Sequence, residues 1–192
     1  MMNHFQRTLA LFILASVPVY AFADTDVEVK ANIIAASCEI SLNNNQNIDL
    51  GTVTTSYFAS NITPEDDYPG GKKFDITVKN CNGIEGKTPT QLTLSFTPVS
   101  GKLSTYSNQI FANANLSGAQ NVGVVIFSAQ DPANPFNVLK TDGTPKSIFP
   151  VTSQDLINKN YTFYTRLQKE SDAASVTAGA VNVSVWVSAY YE

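Results

Sequence analysis

The sequence predicts an exported, all-β chain folded as a two-sheet sandwich and closed by one disulfide. Three observations predict it: a secretory leader, repeated runs of strict apolar–polar alternation, and two cysteines in a chain bound for an oxidising compartment.

The leader comes first. Residues 1–8 carry a single basic side chain, Arg7, and an apolar run follows from Leu9 through Ala15. Small residues sit at both ends of Ala21-Phe22-Ala23, just before the polar Asp24-Thr25-Asp26. A cationic start, a short apolar core and an A-x-A site make a signal peptide over residues 1–23, cleaved after Ala23. A spanning helix needs about 20 apolar residues, and Pro18 breaks this run before that length.

Cleavage leaves 169 of the 192 residues, the size of one domain with its own core. Losing Arg7 leaves eleven basic against sixteen acidic residues, a net charge of −5. No Lys/Arg cluster is present, which excludes nucleic acid and anionic membrane as natural partners.

Alternation then marks the strands. Val27, Val29, Ala31 and Ile33 alternate with Glu28, Lys30 and Asn32. Phe74, Ile76 and Val78 form a second set, Leu92, Leu94 and Phe96 a third, and Val122, Val124 and Ile126 a fourth. Tyr161, Phe163, Thr165 and Leu167 make a fifth. The longest is the last: Val181, Val183, Val185, Val187, Ala189 and Tyr191. Turn chemistry separates them at Pro69-Gly70-Gly71, Asn80–Gly86, Ser117-Gly118, Asp131-Pro132 and Asp142-Gly143. Residues 155–160 read as one short helical turn, and no longer helix is expected. Many short strands with polar turns give a sandwich or barrel, and one cystine bridging two sheets favours the sandwich.

Cys38 and Cys81 are expected to form that cystine. In the chain-entropy picture, closing such a loop contributes about 4 kcal/mol. A metal site would need further soft ligands, and the one histidine, His4, departs with the leader.

The same absence removes the commonest acid–base group, so no catalytic residue and no cofactor is expected, and the chain is read as no enzyme. Glu65-Asp66-Asp67 has the carboxylates to hold a hard cation, but it runs into a Pro-Gly-Gly turn and reads as a solvated loop. Four Asn-x-Ser/Thr triplets, at Asn61, Asn115, Asn160 and Asn182, are expected by chance in a chain this rich in Asn, Ser and Thr.

The two ends carry the functional signal. The N-terminal strand Val27–Ile34 runs into Ala36-Ser37-Cys38, the second cysteine closes Val78-Lys79-Asn80-Cys81, and the C-terminus has Gly179 fourteenth from the end and a penultimate Tyr191. With Asn121-Val122-Gly123-Val124 and Phe163-Tyr164-Thr165-Arg166 between them, this order resembles the subunits of chaperone–usher pili. The resemblance covers residues 27–192.

It implies an immunoglobulin-like sandwich lacking its last strand and completed by a donor strand: residues 24–34 as the donor extension, 35–192 as the pilin domain. Val27, Val29, Ala31 and Ile33 would be the donated positions, with Ala31 where the family usually has glycine. Gly179, Val181, Val183, Val185, Val187 and Tyr191 would border the groove and meet a periplasmic chaperone. The implied partners are neighbouring pilin subunits, that chaperone and an outer-membrane usher, with a host receptor met at most indirectly. The implied location is the fimbrium, reached through the periplasm. A tip adhesin is not expected, because Cys38 follows the leader too closely for a receptor-binding domain. The competing reading is a monomeric secreted sandwich that binds a glycan or protein, through aromatic loops at Tyr57-Phe58 or Tyr106.

Overall fold

The computed structural model describes residues 25–31, 38–43, 46–59, 61–66, 68–81, 90–128, 145–152, 154–155 and 158–191. Its strands, in chain order, are β1 (Thr25–Ala31), β2 (Glu39–Leu42), β3 (Asn47–Asp49), β4 (Lys72–Lys79), β5 (Gln91–Ser100), β6 (Phe111–Ala112), β7 (Val122–Phe127), β8 (Lys146–Pro150), β9 (Asn158–Lys169) and β10 (Val181–Tyr191). A short 3-10 helix spans Thr55–Ala59.

They form two five-stranded sheets, ordered β3-β1-β10-β5-β8 and β2-β4-β9-β7-β6. This is an immunoglobulin-like β-sandwich. The sheets meet through aromatic rings: Phe96 of the first lies edge-on to Phe163 of the second at 5.3 Å, and Phe149 of the first lies 4.5 Å from Tyr161 of the second. Pairs at these separations are worth about 0.5–1.5 kcal/mol beyond their burial.

The alternation places the core as expected. Phe74, Ile76 and Val78 are buried in β4, as are Leu92, Leu94 and Phe96 in β5 and Tyr161, Phe163, Thr165 and Leu167 in β9. Along β10, Val181, Val183, Val185, Val187 and Ala189 are buried while the residues between them are not. In β7 all six residues are buried. Its second face belongs to a smaller cluster of Ile110, Val125 and Phe127, with Tyr164 packed against it. The short turn expected over 155–160 is only partly present: Asn158–Asn160 opens β9, pairing with Lys79, Val78 and Thr77 of β4. Pairing to a long neighbour outweighs the weak local preference of an Asn-Lys-Asn stretch.

Residues 61–66 and 68–71 are held over the outer face of the second sheet by side chains of β9. Tyr164 donates to the Tyr68 carbonyl and accepts from the Gly71 amide, both at 2.7 Å. Gln168 donates to the Ile62 carbonyl. Arg166, fully buried, donates to the carbonyls of Thr63 and Asp66. Of the 65–67 stretch, Asp66 serves the turn itself: it accepts from the Thr63 amide at 2.7 Å, and that bond holds its carboxyl below the usual range.

Candidate assembly site

The two ends of the chain meet in one sheet. β1 lies between β10 and β3, parallel to the first and antiparallel to the second. The register sets Val27 opposite Val183, Val29 opposite Val185 and Ala31 opposite Val187, with Val27 also opposite Ile48. Val27 is fully buried, as are Val185 and Val187. On the other face, Glu28 accepts a hydrogen bond from Ser184 Oγ at 3.1 Å. Val27 thus faces the core and Glu28 the outer side where β1 lies along β10.

β10 has two neighbours, β5 and β1. β5 is joined to it over most of its length, so β1 is what covers its other edge. Without β1, the backbone of β10 and the flank of Val181, Val183, Val185 and Val187 would face solvent, and an uncovered apolar edge of this length is an association site. β3, only three residues long, contributes Ile48 to the same groove wall. Its shortness gave no alternation to read, and so no warning of this role.

Gly179 sits at the entrance of β10 with φ of +150°. A Cβ there would lie 2.4 Å from the Ala119 amide nitrogen, and one on Gly118 would lie 2.1 Å from the Ala180 carbonyl oxygen. The turn at 113–120 and the start of β10 thus pass backbone on backbone, which is what glycine at this position permits.

At the other end of β10, Tyr191 is half-buried and its phenol meets the Cys81 sulfur and hydrogen-bonds to Cys38. Burial, then both cysteines, push the Tyr191 hydroxyl well above its ordinary range. Cys38 and Cys81 come together as neighbouring thiols, Cys38 buried and Cys81 partly so. Burial first, and the Cys81 hydrogen bond second, push the Cys38 thiol from 9.0 up to about 12. The folded state therefore prefers the neutral thiol. That preference is complete below about pH 9 and is lost as the pH rises toward 12. In the reduced, folded chain, iodoacetamide at pH 8 is expected to label Cys38 at least a hundredfold more slowly than in urea, because the thiolate is the nucleophile. Mass spectrometry of timed samples checks this, and equal rates would show that Cys38 is not enclosed.

Ile33 and Ala23 lie outside the described residues. The aromatic loops of the competing reading are largely committed to packing: Tyr57 lies edge-on to Phe58 at 5.0 Å and to Tyr68 at 5.7 Å. Tyr106 is exposed. Among the described residues no group of His, Cys, Asp or Glu could hold a metal ion, and no helix is long and apolar enough to cross a membrane.

In the comparison with known families, the fimbrial protein family matches residues 27–192. The chain belongs to the fimbrial protein family. A relative in Escherichia coli (strain K12), the fimbrial-like protein YadK, is 45% identical over 186 residues, covering 96% of this chain and 93% of its own. Among solved structures, the CupB6 tip adhesin from Pseudomonas aeruginosa superposes with a TM-score of 0.40 at 9% identity, over 87% of this chain and 41% of that one. This fimbrial protein is thus a pilus subunit of a surface appendage. Its family is structural, not enzymatic.

Proposed function

We propose that this fimbrial subunit polymerises by giving residues 24–34 to a neighbour and receiving the equivalent strand of another subunit along β10. The observation that carries the reading is the position of β1, the chain's first described strand and the cover of β10's second edge. A strand tethered at one end can leave its seat and be replaced there by the equivalent strand of another subunit. Main-chain hydrogen bonds give affinity, and burial of Val27, Val29 and Ile33 contributes roughly 1.5–3 kcal/mol each before ordering costs.

In this reading the leader is removed after Ala23, Cys38 and Cys81 are oxidised in the periplasm, and a chaperone lends a strand to the groove until the usher exchanges it. Tyr191 and the valines of β10 are the surface the chaperone reads, and the finished fibre serves attachment. The proximity of the two thiols supports the disulfide, and the apolar edge of β10 supports the need for a chaperone.

The mature chain lacking residues 24–34 is expected to bind the chaperone and accept a strand, yet to cap fibres instead of extending them. Co-purification with the chaperone and electron microscopy of the cell surface check this. Fibres of normal length built from the truncated chain alone would rule strand donation out.

A further inference from the structure

Leu116 is 90% exposed, the barest large apolar side chain among the described residues. Its loop is nevertheless tightly built. Asn113 Oδ1 accepts from the amides of Asn115 and Asn182, and Asn113 Nδ2 donates to the carbonyls of Ala119 and Ala180. Gln120 Nε2 donates to the carbonyls of Leu116 and Gly118. These bonds fix the turn to the first residues of β10 and hold the leucine out from it. With the backbone of the turn already ordered, binding through this leucine does not have to order it. Beside it a cleft of about 690 Å³ opens on the outer face, lined by Glu28, Asn47, Ser100, Asn115, Asn182 and Ser184.

What meets this pole follows from the direction of the strands, given the strand donation proposed above. Cys38 lies against Tyr191, so an extension leaving the domain departs from the far end of β10, about 35 Å from Val181 at strand rise. A neighbour's strand entering parallel to β10, as β1 does, would bring the neighbour's Cys38 and its domain to that same end. Giving and receiving at one pole closes a reciprocal dimer. An open fibre requires the two events at opposite poles. The received strand then runs antiparallel to β10, and the donor's domain arrives where β10 begins, at Leu116. The pole it brings carries Tyr190, itself exposed and apolar.

We infer that the 113–120 turn is the seat on which the domain of a second copy of this chain stacks in the fibre, with Leu116 as its apolar contact. The test refolds the full mature chain in two arms: with excess fluorescent peptide of residues 24–34, and alone at high concentration. Leu116→Asp is expected to take up peptide within twofold of the parent and to yield at least tenfold less fibre by sedimentation and electron microscopy, while Leu116→Met matches the parent. Leu116→Ser carries the same test should the charge disturb the turn. Equal fibre mass from Leu116→Asp and the parent overturns the docking role and leaves strand donation standing. A parent chain that neither takes up peptide nor forms fibres overturns strand donation, and the docking with it.

Discussion

Replacing Arg166 by alanine will cost the folded state roughly 2–4 kcal/mol, the scale for losing hydrogen bonds from a charged donor and leaving a void at a buried site. The side chain is fully buried on the outer face of β9. Its donors go to the carbonyls of Thr63, Asp66 and Leu167 and to the Gln168 side chain. The guanidinium also lies 5.3 Å from the Phe127 ring. Burial lowers its affinity for the proton, though a guanidinium stays charged at any working pH. Alanine would strand two loop carbonyls and open a void beside Phe127, so the 61–66 segment should lift from the sheet. Lysine restores the charge without the planar fork and should recover only part of the loss. Urea unfolding of the three chains measures the ranking. A loss below about 1 kcal/mol for alanine would mean that the segment is held from elsewhere.

That network marks the boundary of what the sequence made legible. The alternation at β4, β5, β9 and β10 is periodic over five or more residues and one face of each is buried, so the pattern and the fold agree. Strands β2, β3, β6 and β8 are two to five residues long and exist because a longer neighbour pairs with them. No period can be read from so few positions. The 3-10 helix at Thr55–Ala59 is equally short, and its aromatic residues entered only as loops of the competing binding reading. Phe163-Tyr164-Thr165-Arg166 stood out as a motif, but the carbonyls that Arg166 serves are about a hundred residues away in the chain. Gly179 was likewise visible as a position before its cause was: the missing Cβ matters only because Ala119 passes within 2.4 Å of where it would be. The ends of the chain showed clean alternation, which fixes which face is buried. It does not fix direction, and the parallel pairing of β1 with β10 could be seen only in three dimensions.

Direction and burial together set the expected result for Val27→Asp. Val27 is fully exposed to the core and fully hidden from water, between Ile48 and Val183. An unpaired carboxylate at that depth costs several kcal/mol, more than the 1.5–3 kcal/mol that a buried valine contributes. A mid-chain strand so loaded would unfold the domain. β1 is joined to the domain through one end, so it can leave alone, with the charge going into water and the β10 edge left open. Val27→Asp is therefore expected to keep the circular dichroism of a sandwich, to become cleavable within residues 24–37, and to associate through the bare edge. Excess unmodified 24–34 peptide should restore a soluble complex, because the groove itself is untouched. Val27→Ala removes volume without adding charge and should leave β1 seated, with a modest loss of stability. The distinguishing measurement is limited proteolysis with and without peptide. If Val27→Asp is as resistant as the parent, β1 is not held by this side chain; if the peptide fails to protect it, the groove does not accept a strand supplied from outside.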